Sequence, residues 1–185
     1  IMNLTKKENP DLIINASLPI FNRVLMFACL KNKINYMDLA SYWDFDKNPK
    51  SKSPYKVEQL DFNERFRKRG IIGLINTGAS PGLTNLLAKE CVDIFDEIDS
   101  IKIRLFEDTK TPDLYFPWSV EWLLDEINWK PLVYRNKKFK IMENFSEEES
   151  YTFPEKIGRR KVYLVAQDEV GTIPLFIKIK NIDIK

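Results

Sequence analysis

The chain has 185 residues, of which 44% are hydrophobic and 30% charged, a composition that suits a globular domain with a real core and not a disordered chain. Lysine and arginine number 29 and aspartate and glutamate 27, a net charge of +2 that does not point to a nucleic-acid or anionic-membrane partner. Histidine is absent, which excludes a Ser-His-Asp triad, and two cysteines without a CxxC pattern cannot build a zinc or iron–sulfur site.

The first ten residues, IMNLTKKENP, are short and polar and carry no targeting signal. Opening on Ile before Met and running into a strand within ten residues, the chain reads as cut rather than begun. Residues 11–15 form an apolar run that suits a fully buried parallel strand. Pro19 can open a helix. Ile20, Val24, Phe27 or Ala28, and Lys31 then recur at helical spacing, with Phe21, Leu25 and Cys29 beside them. Residues 35–40 are a second strand. Residues 46–56 form a polar loop with Pro49 and Pro54. A helix over 57–68 ends near Gly70, a residue suited to the position just past a helix. Residues 71–76 are a third buried strand, 78–82 a tight turn, and 81–95 a helix with Leu83, Leu87, Cys91 and Ile94 on one stripe. This order predicts part of a doubly wound parallel sheet.

The pattern changes near Asp96. Residues 100–106 alternate as a strand with one wet face. Residues 118–127 read as a helix capped by Ser119, with Val120, Leu123, Leu124 and Ile127 apolar. Residues 132–135 and 139–142 flank a hairpin turn. Residues 162–165 are a further strand, and 176–184 alternate to the end. Residues 147–149 (Glu-Glu-Glu) are expected in a surface loop. Both cysteines lie among apolar neighbours and are expected as buried free thiols of a reducing, cytoplasmic compartment. No apolar stretch approaches the ~20 residues that cross a bilayer. The expected architecture is α/β: a partial Rossmann-like parallel sheet over 1–95, then an α+β unit over 96–185 with a mixed or antiparallel sheet.

Neither GxGxxG nor GxxxxGK[ST] occurs, so these residues contain no standard pyrophosphate cradle. Ligands of a parallel sheet bind beyond the carboxyl ends of its strands. The loops there are 15–19, 38–42 and 77–85. Ala16, Ser17, Gly78 and Ala79 are small enough to admit a flat ligand. Ser80 and Gly82 would present free amides at a helix start. Ordinary strand–turn–helix punctuation explains each loop equally well.

Four segments, DLIINASLPIFNRVLMFACLKNKINYMDLASY, NTGASPGLTNLLA, PWSVEWLLDEI and FPEKIGRRKVYLVAQDEVGTIP, lie in order across residues 11–174. Together they resemble the saccharopine dehydrogenase family, in its saccharopine reductase and carboxynorspermidine dehydrogenase branch. The resemblance implies a Rossmann domain with an inserted substrate and dimerisation domain. It implies hydride transfer between NAD(P) and a secondary amine formed from an amino acid or polyamine, in a cytoplasmic homodimer. It implies that Asn15, Ala16, Ser17 and Pro19 lie against the nicotinamide, and that Gly78, Pro81, Gly82 and Asn85 line the cofactor cleft. Ser41, Tyr42, Trp118, Ser119 and Glu121 are implied around the substrate, with no metal, nucleic acid or membrane as partner. The family's glycine-rich first βαβ unit and its closing segment are expected to lie outside these residues. The chain alone is therefore expected to bind NAD(P) weakly or not at all, unless completed by a separate N-terminal Rossmann fragment. Gln167, followed by Asp168 and Glu169, stands where relatives usually have histidine.

Reduction of an imine needs an acid near its nitrogen. Asp38, ending a buried strand, is the leading candidate, with a turn or cap role as its alternative. Glu121 could meet an ammonium group or simply favour a helix dipole. Arg159 and Arg160 could receive carboxylates or remain solvated in a turn. Asp168, Glu169 and Thr172 read as turn and loop residues. The cluster Arg65, Arg67, Lys68 and Arg69 is diluted by Glu58, Asp61 and Glu64 and reads as a solvated helix face.

Overall fold

A computed structural model describes residues 1–42, 57–113, 115–116 and 119–185. The expected loop at 46–56 lies outside the described residues, and so does Trp118. The chain divides into two units, Ile1–Leu87 and Ala88–Lys185.

In the first unit, strands β1 (Leu12–Asn15), β2 (Asn35–Asp38) and β3 (Gly73–Leu74) form a parallel sheet in the order β1-β2-β3. Asn15 pairs with Asp38, and Met37 with Leu74, so the three carboxyl ends share one edge. A helix α1 (Met2–Glu8), not expected from its polar sequence, precedes the sheet. Pro19 opens a 3-10 turn (Pro19–Phe21) that runs into α2 (Asn22–Asn32). A second 3-10 turn (Glu58–Phe62) leads into α3 (Asn63–Arg69), which Gly70 ends in the left-handed conformation at φ 65°.

The core of this unit lies on one face of the sheet. Met26, Cys29, Leu30, Ile34, Tyr36, Phe62 and Phe66 pack together with Ile13, Leu25, Ile71 and Ile75. The buried residues of α2 are Asn22, Met26, Ala28, Cys29 and Leu30; of the expected row Ile20, Val24 and Phe27 are exposed, whereas its alternative member Ala28 and the neighbouring Cys29 are buried. The polar Asn22 sets this rotation, because its amide group bonds the Ala40 carbonyl and the Tyr36 hydroxyl inside the unit. The opposite sheet face, with Leu12, Ile14 and Leu74, is exposed, so β1 is not the fully buried strand expected. β3 is shorter than expected because the chain turns at Asn76, which takes φ 56°.

Helix α4 (Leu83–Ile94) follows. Only Ala88 of its residues is buried. Leu83, Leu87 and Ile94 are exposed, and Cys91 is an exposed free thiol, unlike the buried Cys29.

The second unit is built on β4 (Ser100–Ile103), β5 (Leu132–Arg135), β6 (Lys138–Ile141) and β9 (Asn181–Ile184), in the order β4-β9-β5-β6. β4 and β9 are parallel and the other pairs antiparallel, giving the mixed sheet expected. Asn136 and Lys137 join β5 and β6, both at positive φ, as a tight hairpin of right-handed twist requires. Helix α5 (Val120–Asn128) starts at Ser119, whose Oγ accepts the Trp122 N–H at 3.1 Å. Its Val120, Leu124 and Ile127 are exposed.

Strands β7 (Glu149–Phe153) and β8 (Gly158–Val162) form a separate antiparallel pair. Arg159 and Arg160 therefore sit in a strand, not in a turn, and the strand expected at 162–165 ends where it was to begin. Residues 169–176 form α6 (Glu169–Phe176) despite Gly171 and Pro174, with Val170 and Ile173 fully buried. Burial of this helix outweighs its poor propensity. The alternating run at the end pairs as a strand only from Asn181. No helix among the described residues is long and apolar enough to cross a membrane.

Candidate functional site at the carboxyl edge of the parallel sheet

The edge is assembled by side chains that bond backbone. Asn15, at the end of β1, is buried and fully used. Its Oδ1 accepts from Ser17 N–H at 3.1 Å and from Ser17 Oγ at 2.7 Å. Its Nδ2 donates to Leu18 carbonyl at 3.3 Å and to Asn22 Oδ1 at 2.7 Å. The loop 15–19 is thus tied into an Asx turn, with Ala16 and Ser17 exposed at its tip and Pro19 buried beneath. Asn22 carries the tie onward, donating to the Ala40 carbonyl at 2.7 Å and accepting from Tyr36 Oη at 2.9 Å.

Asp38, at the end of β2, is fully buried. Its Oδ1 accepts the Asn76 N–H at 2.8 Å, and its Oδ2 accepts from Gln59 Nε2 at 3.2 Å. Its carbonyl accepts both the N–H of Thr77 at 2.9 Å and the Thr77 hydroxyl at 2.7 Å. Burial pushes its carboxyl pKa up, and the donors from Asn76 and Gln59 oppose that shift. The carboxylate faces this interior polar cluster. Ser41 is equally buried and donates to Asn76 Oδ1 at 2.8 Å; Tyr42 is half-buried.

The third loop packs against the second. A Cβ on Gly78 would lie 2.8 Å from the Leu39 carbonyl oxygen. Gly82, at φ 132°, has still less room: its Cβ would lie 2.2 Å from the Gly78 carbonyl oxygen. Both positions therefore require glycine for the path of the turn. The Gly82 amide, expected to be free, instead donates to Asn85 Oδ1 at 3.1 Å. Leu83 and Thr84 amides are taken by the Gly78 and Ala79 carbonyls. Pro81 is buried and Ala79 exposed.

The structure thus brings Asn15, Ala16, Ser17, Pro19, Asp38, Ser41, Tyr42, Gly78, Pro81, Gly82 and Asn85 into one unit. Ser119 and Glu121 belong to the second unit, where Ser119 caps α5 and Glu121 is exposed in its first turn. Asn22, Tyr36, Gln59 and Asn76 complete the edge and are not among the residues expected there. Asn76 is a residue that tolerates positive φ where a strand must turn, a legible signal; Asn22, a polar residue on a helix, gives none.

The second unit has its own polar constellations. Asp183 on β9 lies between Arg104 and Arg135, at 2.7 Å from each, and Arg104 also meets Glu149 at 2.6 Å. Residues Glu147 and Glu149, expected in a loop, are thus ion-paired, Glu147 with Arg135 at 2.9 Å. Glu126 of α5 accepts from Gln167, and its carboxyl is pushed up to about 7, chiefly by burial and then by the nearby Glu107 and Glu169. Asp168, Glu169 and Thr172 are buried at the start of α6.

Residues 2–74 match the family described as the saccharopine dehydrogenase NADP binding domain. A carboxynorspermidine synthase of Vibrio alginolyticus is 30% identical over 188 residues, covering 99% of this chain and 44% of that protein. A carboxyaminopropylagmatine dehydrogenase of Synechocystis sp. is 25% identical, covering 98% of this chain and 44% of that protein. Among solved structures, apo saccharopine dehydrogenase (L-Glu forming) from Saccharomyces cerevisiae matches with a TM-score of 0.63 at 14% identity. That match covers 95% of this chain and 40% of that one, and shows the shared Rossmann-like fold. The chain spans less than half the length of these curated relatives.

Proposed function

We propose that this chain, whose residues 2–74 match the saccharopine dehydrogenase NADP binding domain and which is similar over nearly its whole length to a carboxynorspermidine synthase, is part of an NAD(P)-dependent oxidoreductase that interconverts an imine and a secondary amine of an amino acid or polyamine. The observation that carries this reading is the edge itself. Three loops from three parallel strand ends are bonded together through Asn15, Asn22, Asp38 and Asn76. That is the place where such sheets bind flat ligands. The family match over residues 2–74 supports a dinucleotide there.

The residues fit one half of a dinucleotide. The exposed Ala16 and Ser17 leave a loop tip of small side chains open to a planar ring, while Gly78 and Gly82 let the third loop pass close to the second. Asn15, Ala16, Ser17 and Pro19 would hold the nicotinamide side, with Gly78, Pro81, Gly82 and Asn85 across from them. When bound, the nicotinamide supplies or accepts the hydride at the substrate carbon. The chain's residues orient that ring and exclude water on its protein side. No glycine-rich pyrophosphate turn occurs among the 185 residues. Residues 1–185 by themselves therefore bind the dinucleotide weakly and do not turn over.

Reduced nicotinamide mononucleotide, which lacks the adenosine half, tests this directly. Amide resonances of residues 15–19 and 78–85 are expected to shift on titration, while those of β4–β9 stay still. No shift in either loop refutes the reading. NADPH oxidation with candidate imines is expected to be absent for residues 1–185 alone; steady oxidation would overturn the second half of the proposal.

A second reading is a non-catalytic dimerisation module, and one observation favours it. Leu12, Ile14 and Leu74 lie exposed on the sheet face away from α2. A second copy of the chain is the occupant in this reading. Sedimentation at several concentrations distinguishes it, with a concentration-dependent dimer and no response to the mononucleotide as its signature.

A further inference from the structure

We infer that Asp38 is a positioning residue, which fixes the turn between β3 and α4 against the exit of β2, and not a group that meets substrate. Both carboxylate oxygens are committed to protein donors on different elements, Oδ1 to the Asn76 N–H and Oδ2 to Gln59 Nε2. The backbone of the same residue takes the next two donors of that turn, the Thr77 amide and hydroxyl. Four of the donors that decide where residues 76–77 and Gln59 sit therefore converge on one residue that is fully buried. Beyond Thr77 the path is tight, with Gly78 passing the Leu39 carbonyl too closely for a side chain. A turn packed that closely tolerates little displacement at its root. Losing the Oδ1 bond would shift Asn76, and with it Gly78, Pro81, Gly82 and Asn85.

The surroundings of the carboxylate agree with this role. The other face of the cluster is closed by Ala40, whose carbonyl accepts from Asn22 Nδ2 at 2.7 Å and Gln59 Nε2 at 3.3 Å. Ser41 secures the Asn76 side chain. Charge-assisted bonds to a carboxylate are the stronger kind, and removing such an acceptor inside a buried cluster leaves its donors unsatisfied. The effect on the turn stands by itself; its bearing on a dinucleotide rests on the proposed function.

Exchanging the two partners tests the inference. Asp38→Asn sets its own Nδ2 against the Gln59 Nε2 donor and leaves the Asn76 N–H only an uncharged, weaker acceptor. Adding Gln59→Glu reverses the pair: the amide now at position 38 donates to the carboxylate now at position 59 and still accepts from the Asn76 N–H, while the 3.3 Å bond from Gln59 to the Ala40 carbonyl is given up and that carbonyl keeps its shorter bond from Asn22. Amide hydrogen exchange over residues 76–85 is read against β1 and β2 as an internal reference. Asp38→Asn is expected to speed exchange at Asn76 and Thr77 by about tenfold or more, and the double variant to bring it back towards the original rate. Thr77→Val, which removes only the hydroxyl bond to the Asp38 carbonyl, is expected to give a smaller local increase and serves if Asp38→Asn alone does not fold. Unchanged exchange in Asp38→Asn overturns the inference, as does a double variant that folds but leaves the turn as exposed as in the single one; if the single variant is unfolded, unchanged exchange in Thr77→Val does so. The mononucleotide shifts are recorded on the same samples. A turn that is lost and recovered while no variant, nor the original chain, responds to the mononucleotide speaks against the proposed function and leaves the positioning role standing.

Discussion

Glu126 offers a test of the second unit that depends on no ligand. Its carboxyl, ordinarily near 4.5, is pushed up to about 7 by burial on α5, with Glu107 and Glu169 adding repulsion and the Gln167 amide opposing. The native state therefore holds this proton in a range where the unfolded chain has released it. Native protons exceed unfolded protons between about 4.5 and 7, so stability falls as pH rises through that window. Below about 4.5 the contribution is complete, and above about 7 it is lost. Each tenfold in proton affinity is worth about 1.4 kcal/mol, so the full shift corresponds to about 3 kcal/mol. The side chain is half-buried and water screens part of this, which reduces the expectation to about 1–2 kcal/mol. Glu126→Gln keeps the position neutral at every pH and still accepts from Gln167. The variant is expected to match the original chain at about pH 4 and to exceed it by about 1–2 kcal/mol at about pH 8. Urea unfolding followed by the fluorescence of Trp122 and Trp129, whose rings meet edge to face at 5.1 Å, reads this unit. A stability difference that does not change between these two pH values would refute the reasoning, and so would a variant weaker than the original at the higher one.

Gly82→Ala must displace the Gly78 carbonyl from 2.2 Å and adopt φ 132°, so it is expected to lose about 2 kcal/mol or more of stability by thermal unfolding and to broaden the amide resonances of residues 78–85. Ser119→Ala removes the cap of α5 and is expected to cost about 1 kcal/mol in chemical denaturation, with faster amide exchange at Trp122. A thiol reagent at about pH 7.5 is expected to label the exposed Cys91 promptly and Cys29 only on unfolding, because Cys29 is buried and its thiol pKa is pushed up to about 11; equal labelling of the two would contradict this.

The parallel half of the fold was legible because its strands are short apolar runs bounded by turn residues. Residues 11–15, 35–40 and 71–76 each contain the observed strand, and the expected loops do lie at the strand ends. Hidden from a reading of apolar runs is the polar side of the core. Asn22 and Tyr36 carry bonds that decide which face of α2 turns inward, and a periodicity count scores Asn22 as an outward position. Asp38 was legible as a special residue but not as to what its carboxylate faces, since that depends on Asn76 and Gln59, which are distant in sequence. In the second half, Gly171 and Pro174 argue against a helix that burial of Val170 and Ile173 nevertheless stabilises. The ion pairs of Asp183 with Arg104 and Arg135 join positions 79 and 48 residues apart, beyond any local spacing rule.

The two readings of function use different parts of the same sheet, and this makes them separable. The dinucleotide reading needs the carboxyl edge, where polar side chains are buried and mutually bonded. The dimer reading needs the flat face carrying Leu12, Ile14 and Leu74, where no polar group is required. Parallel strands apolar on both faces are ordinarily covered on both. In this chain the described residues cover one face with α2, α3 and the turn before it, and two side chains from that covered side bond the edge: Asn22 from α2 and Gln59 from the 3-10 turn. Whatever covers the exposed face, the bonds that Asn22, Asp38, Gln59 and Asn76 make at the edge do not involve Leu12, Ile14 or Leu74. Order at the edge is therefore expected to be the same in monomer and dimer, so association and ligand response report on independent properties of one small sheet.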